Sequence, residues 1–277
     1  MPFTTYVHSN AESSERHPLA KFRPVNEDHA VTQVAFQLRL DEFVEPPVLE
    51  AVRSGDPGWK KALPALLNMP PLTVGVGSQQ LELPGVQSAI VRPDARPIWA
   101  VRLQGFDLTV ECSAYTRWKD IAGQATAYLG QAFSLVKEFQ ADANIVDVRL
   151  GVIDQFATDE NDYVASELFQ PEGLIAAELL RRGGIWHSNS GWLEVFKDVR
   201  VLHSLNVQAT GKRSSESLPV GPYTVAVNHQ QQAAAWPEAP IDPKRIEELM
   251  EMLHEANKAV IARLIAKDML DQIGLKN

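Results

Sequence analysis

The sequence IWAVRLQGFDLTVECS, residues 98–113, sets the fold class of this chain. Apolar residues alternate with other residues on both sides of Gln104-Gly105, which is typical of two strands joined by a tight antiparallel turn. Two further strands are predicted shortly before it, over residues 72–76 and 86–92. Parallel strands need connections of a dozen or more residues, so this spacing predicts an antiparallel sheet.

Working towards the N-terminus, one more strand and a short helix are predicted. The strand has a single apolar face, formed by Val34, Phe36, Leu38 and Leu40. Proline at position 47 suits the first turn of a helix that ends near residue 54. Pro64 limits any helix over residues 59–68 to a short or broken one.

Two long amphipathic helices give the other strong signal. One runs over residues 117–139 and carries the apolar stripe Trp118, Ile121, Ala122, Ala125, Leu129, Phe133 and Val136. The other begins at Asp242-Pro243 and carries the stripe Ile246, Leu249, Met250, Leu253, Val260, Leu264 and Ile265. Each stripe repeats at three- and four-residue steps, which predicts that one face of each helix packs on a sheet.

The first long helix has a second stripe, which is made of small residues: Gly123, Ala127, Gly130 and Ser134. We interpret it as close packing inside the domain, with a contact between helices of two copies as the alternative.

The order of elements repeats along the chain. A strand, a short helix, antiparallel strands and a second long helix are predicted over residues 144–154, 174–182, 193–208, 223–228 and 242–265. This order predicts an α+β fold of antiparallel sheets with long amphipathic helices, built by a tandem β-α-β(n)-α duplication of the helix-grip or saddle-like kind. The predicted parts are a flexible lead-in over residues 1–28 and two packed halves over residues 29–141 and 142–277.

Composition narrows the functional classes. The 277 residues include 26 Lys and Arg against 35 Asp and Glu, a net charge of −9, which argues against a nucleic-acid binder because such a protein needs a basic surface. The single cysteine, Cys112, cannot form an internal disulfide, and no apolar run approaches the ~20 residues that a membrane span needs. We predict a cytoplasmic protein.

The chemistry-bearing motifs are sparse. No two histidines stand at the four-residue spacing of a helical zinc site, and no nucleophile elbow or phosphate-binding loop occurs, so we predict no catalytic residues, metal or cofactor. The most unusual window is GGIWHSNSGW, residues 183–192, which we interpret as a tryptophan-anchored hairpin whose polar residues make turns, with a flexible binding loop as the alternative. The candidate binding residues are Trp186, His187, Ser188, Asn189, Trp192, His203 and His254.

Two of these histidines also have structural interpretations. His203 lies on the apolar face of its strand, which is typical of a hydrogen-bonded core histidine. His254 lies at the edge of the last helical stripe, where a bond to a neighbouring loop carbonyl is expected and a general base is the alternative.

Several short stretches resemble one known family. They read VTQVAF, YTRWKD, VRLG, LHEAN and LIAKD, at residues 31–36, 115–120, 148–151, 253–257 and 264–268. In order and spacing they are similar to a sporadically distributed family of uncharacterised bacterial and archaeal proteins, over residues 30–275. The resemblance implies an intracellular prokaryotic protein with a two-part α+β layout and supplies no catalytic residues. The chain departs from the family pattern after Arg149, where GVID replaces an aromatic-Asn pair.

These observations favour a non-enzymatic interaction module. Its partner is expected to be another protein or a second copy of the chain, in a defence or toxin-neutralising system. The alternative is a small-ligand-binding protein or hydrolase with a pocket lined by Trp186, His187, His203 and Asp154. A role with nucleic acid ranks third.

Overall fold

The computed structural model describes residues 22–26, 28–76, 79–160, 162–211 and 223–275. The predicted lead-in therefore lies largely outside the described residues. Its described end is ordered into the fold, because Phe22 is buried and a two-residue strand, β1 (Arg23–Pro24), follows it.

Two series of elements follow β1. The first consists of β2 (Val31–Leu40), α1 (Pro46–Ser54), β3 (Ala65–Val76), β4 (Gln79–Val91), β5 (Pro97–Gln104), β6 (Asp107–Cys112) and α2 (Trp118–Phe139). The second consists of β7 (Ile145–Thr158), α3 (Ala177–Leu180), β8 (Trp186–Phe196), β9 (Val199–Gly211), β10 (Tyr223–Ala235), α4 (Ile246–Leu264) and α5 (Lys267–Gln272). Short 3-10 turns lie at Ala165–Glu167 and Pro243–Arg245.

The ten strands of the described residues pair antiparallel, as the strand spacing predicted, but they form one sheet where separate sheets were expected for the two halves. The order is β3-β4-β5-β6-β2-β7-β10-β9-β8, and β1 pairs with β7. The strands of the first series therefore lie on one side of the β2–β7 pair and those of the second on the other. At this central pair, Phe36 lies opposite Leu150 and both are buried.

The helices pack on one face of the sheet, which we call the inner face. The predicted apolar stripes of α2 and α4 are buried there almost throughout, so both packing predictions are confirmed. The two helices also contact each other: the ring of Trp118 stacks on that of His254 at 4.0 Å, and its Nε1 donates a hydrogen bond to Oε2 of Glu251 at 2.6 Å. The other face, the open face, carries no helix in the described part of the chain.

The β5–β6 turn confirms the predicted hairpin. Gly105 has a φ of +59°, a conformation that glycine adopts without the steric cost that a Cβ brings. A Cβ at this position would also lie 3.3 Å from Cδ2 of Leu72. Glycine thus permits both the turn and the close approach of β3.

The limit that Pro64 was expected to set holds, since turns over residues 58–62 are followed by strand β3 from Ala65. Two other local predictions are wrong. The predicted helix over residues 174–182 is reduced to α3. The small stripe of α2 does not pack inside the domain: Gly123, Ala127 and Ser134 are exposed.

The burial of α2 gives a test of the fold. Leu129→Ala should lower the free energy of unfolding by about 2–5 kcal/mol, because the fully buried side chain leaves a cavity. Lys119→Ala, on the exposed side of the same helix, should change it by less than about 0.5 kcal/mol. Urea denaturation of both variants measures the difference, and equal effects would contradict the packing of α2.

Candidate functional site

The window interpreted as a tryptophan-anchored hairpin is mostly a strand. Residues 186–192 belong to β8, which pairs with β9 at each of its 11 residues and forms one edge of the sheet. Its serines and glycine favour turns when they are considered alone, but its side chains alternate between the two faces as in any strand. β8 and β9 thus form a hairpin, as interpreted, but the turns expected at Ser188, Asn189 and Ser190 and the flexible-loop alternative are both wrong.

This alternation separates the predicted binding residues. Trp186, Ser188 and Trp192 lie on the inner face, whereas His187 and Asn189 lie on the open face. Asn189 accepts a hydrogen bond there from the side chain of Asn206.

Three of the candidate residues, Trp186, His203 and His254, are covered by other parts of the fold. Trp186 is buried against Phe169, with ring centroids 6.0 Å apart. His203 is buried on the inner face of β9. His254 stacks on Trp118 where a bond to a loop carbonyl was expected, and burial lowers its pKa to about 4 although Glu251 and Glu255 oppose the shift.

The predicted four-residue pocket does not form. His203 and Trp186 lie on the inner face, but His187 lies on the opposite side of the sheet, opposite Gln208 of β9. Asp154 is on the inner face of β7, separated from β9 by β10. The pocket prediction is therefore wrong in its geometry, because residues 186 and 187 are consecutive in a strand and must point to opposite faces.

The structure brings together a different set of polar side chains on the inner face. Nδ1 of His203 lies 3.1 Å from Nε2 of His229, and Nδ1 of His229 lies 2.8 Å from Oδ1 of Asn257 on α4. At the other end, Nε2 of His203 lies 3.7 Å from Oε2 of Glu194. We call Glu194, His203, His229 and Asn257 the histidine chain.

The direction of the histidine chain follows from its last member. The amide oxygen of Asn257 only accepts, so Nδ1 of His229 donates to it. In a neutral ring Nε2 of His229 is then an acceptor, and Nδ1 of His203 donates a hydrogen bond to it. Nε2 of His203 is left as an acceptor that faces the Glu194 carboxylate and has no hydrogen-bond partner among the described residues. A proton on Nε2 of His203 would give both this nitrogen and the Glu194 carboxylate a partner.

Burial keeps both rings neutral. It lowers the pKa of His229 to about 4, although the Asn257 hydrogen bond opposes the shift and the charge of His203 adds to it. Burial also lowers the pKa of His203, and the Glu194 carboxylate opposes this. The two imidazoles are thus neutral at pH 7 and joined to each other and to Asn257 by hydrogen bonds.

Trp192 covers the two imidazoles. Its ring is within 14° of parallel to both, with centroids 4.7 Å from that of His203 and 5.9 Å from that of His229. Its Nε1 donates to Oε1 of Glu194 at 3.0 Å. Trp192 therefore orients the carboxylate and also presents the face of its indole to the histidines.

The histidine chain lies between two apolar clusters of the core. Val201 and Ala233 belong to one cluster, and Leu205 and Val227 belong to the other. Gln231, on the same face and directly opposite His203, is buried with its amide nitrogen and oxygen unpaired among the described residues.

Sequence reasoning missed three members of the chain: Glu194, His229 and Asn257. The available signals were the alternation of Val225, Val227 and His229 along β10 and the place of Asn257 among the apolar residues of α4. Neither signal identifies the partner of a polar residue, because the members come from four separate elements.

Asp154 is a second buried polar group. It lies on the inner face of β7, opposite Val31 and Val227, and its Oδ2 has no partner among the described residues. Burial raises its pKa to about 7, and its charge in turn helps to raise the pKa of Tyr115, for which burial is the larger cause.

The open face has its own distinctive feature at the β8 end. Leu193 lies directly opposite Leu202, and Val195 lies opposite Arg200, whose guanidinium sits 5.1 Å from the ring centre of Trp236. The four apolar side chains are 59%, 49%, 59% and 50% exposed, in the order Leu193, Leu202, Val195 and Trp236. We call these four residues the open-face patch.

Two surface grooves lie away from the histidine chain. One, of about 240 Å³, runs over the open face and includes Gln37, Arg149, Gln230 and Gln232 in its lining. The other, of about 650 Å³, lies between residues 55–59 and the small stripe of α2.

The described residues contain no group of three or more His, Cys, Asp or Glu side chains placed to hold a metal ion. Within the same ranges, no helix has the length and apolar character to cross a membrane.

Comparison with protein-family models, curated proteins and solved structures finds no match to this chain.

The buried carboxyl gives a pH-dependent prediction. Folding keeps the proton on Asp154 up to about pH 7, so its contribution to stability is complete below the unfolded pKa of 3.8 and is lost as pH rises through 7. Asp154→Asn should therefore raise the free energy of unfolding by on the order of 2–4 kcal/mol at pH 8. Urea denaturation across this range tests the effect. The gain should disappear at pH 4, and a constant gain would contradict this explanation.

The histidine chain gives a second prediction. Asn257→Leu should lower the free energy of unfolding by about 1–3 kcal/mol, because it leaves the Nδ1 proton of His229 buried without an acceptor. Ala259→Leu, on the exposed side of α4, is the control and should change stability little. Equal stability of the two variants in urea would show that the Asn257 hydrogen bond contributes nothing.

Proposed function

We propose that this chain is a non-enzymatic protein-binding module whose partner contacts the open-face patch. The observation that carries the proposal is the exposure of four large apolar side chains near one another, with Arg200 between Val195 and Trp236, on a sheet face that carries no helix among the described residues. Contiguous exposed apolar surface is characteristic of protein interaction sites.

The surroundings of the patch favour a protein partner. Ser204, Asn206 and Gln208 follow Leu202 along β9 with the same orientation, and Asn189 precedes Leu193 on β8. Apolar side chains beside hydrogen-bonding groups match the usual interface arrangement of an apolar centre and a polar rim. Trp236 is of the residue type that contributes most often to binding energy.

The partner is expected to present apolar side chains within a polar surface. An enzyme acting on a small molecule would instead need polar groups that converge on a cavity, and the histidine chain is packed between apolar clusters. We therefore infer that the histidine chain holds β8 and α4 in position.

Several finer inferences accompany the proposal. The matching element order on either side of the β2–β7 pair supports a tandem duplication, and helices on a single face support a helix-grip or saddle-like arrangement. A role in a defence or toxin-neutralising pair remains a prediction, as do the cytoplasmic location and the resemblance to the sporadically distributed prokaryotic family.

Leu202→Lys tests the proposal. It places a charge in the patch without removing a buried contact, so the fold should persist while partner retention falls at least tenfold. The measurement is quantitative mass spectrometry of proteins retained from cytosol of the native host by the immobilised chain. Leu67→Lys, at the other end of the sheet, is the control and should retain the partner. Unchanged retention by Leu202→Lys would overturn the proposal.

A further inference from the structure

The two edges of the sheet differ in their capacity to accept another strand. The β3 edge contains Pro70 and Pro71, and its pairing with β4 is irregular between Met69 and Leu72. Prolines and bulges are the usual means by which proteins block an exposed edge. At the other edge, β8 contains no proline and pairs with β9 without any shift of register.

The backbone of β8 has free hydrogen-bonding capacity on its outer side. Apart from the β8–β9 ladder, residues 186–196 take part in no backbone–backbone hydrogen bond among the described residues. An unpaired strand of 11 residues is long enough to form a substantial ladder with another chain. Its one acidic residue is Glu194, so little like charge opposes the approach of a second copy.

We propose that a second copy of this chain pairs with the β8 edge, antiparallel and about a two-fold axis at Gly191, so that two ten-stranded sheets become one sheet of twenty strands. The inference goes beyond the proposed binding of another protein, since it concerns the association of two copies of this chain. It is carried by the sequence of β8 together with the difference between the two edges.

Gly191 is the central residue of β8, so an axis there pairs the strand along its whole length. At the four positions on either side of the axis, larger side chains of one copy face smaller or polar ones of the other. These pairs are Trp192 with Ser190, Leu193 with Asn189, Glu194 with Ser188 and Val195 with His187, and at the strand ends Phe196 faces Trp186 as an aromatic pair. Glu194 faces a hydroxyl, so the arrangement places no like charges opposite each other.

The blocked β3 edge limits the assembly to two copies. Pairing of β8 with β8 is isologous, which means that the same surface is used by both copies and is consumed on dimer formation. A second open edge would let the sheet grow further, but the prolines of β3 prevent this. We therefore expect a closed dimer without larger assemblies.

The dimer also changes the partner-binding surface. Leu193 and Val195 lie on the strand next to the two-fold axis, so pairing brings the open-face patches of both copies onto one continuous sheet face. A partner with a two-fold axis of its own could then contact both patches, with the gain in avidity that such geometry gives.

Cysteine crosslinking tests the proposed register. In a dimer centred on Gly191, residue 189 of one copy faces residue 193 of the other, with Cα atoms ~4.5–5.5 Å apart, within the range of a disulfide. The double variant Asn189→Cys/Leu193→Cys should therefore give a crosslinked dimer on oxidation. The native Cys112 is buried and should not react.

Each single variant is a control. Two copies of residue 189, or two of residue 193, would lie ~13 Å apart, beyond the reach of a disulfide. The singles should therefore give at least tenfold less crosslinked dimer than the double variant. Equal crosslinking of either single variant, or none from the double variant, would overturn the pairing.

The unmodified chain provides a second measurement. Native mass spectrometry and sedimentation should show twice the monomer mass of 30.7 kDa. A monomer at concentrations of on the order of 100 μM would overturn the proposal, since a specific interface is expected to form well below that concentration. Leu202 lies outside the β8 pairing, so loss of partner binding in Leu202→Lys with an intact dimer would separate the two proposals.

Discussion

Pairing between β2 and β7 joins the two series of strands and helices into one structure. Each of these strands is the first long strand of its series, and each is flanked on its other side by the last strand of that series, β6 or β10. The pairing makes a single sheet from two series of elements and places α2 and α4 on the same face. The stacked rings of Trp118 and His254 then connect the helices, so their contact depends on the central strands.

The second series combines apolar packing with polar groups that are costly to bury. The histidine chain satisfies three of its ring nitrogens internally, but Nε2 of His203, Oδ2 of Asp154 and the amide of Gln231 lack partners among the described residues. Such groups lower stability unless water or a proton satisfies them. Their position between two apolar clusters means that changes of protonation act on the packing of β8, β9, β10 and α4 together.

Sequence periodicity predicted the elements that bury one continuous face. The stripes of α2 and α4, the antiparallel pattern and the β5–β6 hairpin all depend on repeats of two or 3.6 residues, which are visible without tertiary information. The first part of β8 was taken for turns because Ser188, Asn189 and Ser190 are common in turns, and pairing with β9 outweighs that tendency. The histidine chain was missed because Glu194 and Asn257 approach His203 and His229 only after folding, and the open-face patch because its members lie on different strands.

Asn257 has a consequence for the placement of α4. Apolar side chains alone would allow the helix to slide along the sheet with modest changes in packing, because one leucine or valine can replace another against the same surface. The amide oxygen has a single partner, and displacement by one helical turn, ~5.4 Å, would separate it from His229. A buried polar contact of this kind selects one alignment among several of similar apolar energy, as single asparagines do in coiled coils. Asn257 thus determines the axial position of α4 on the sheet.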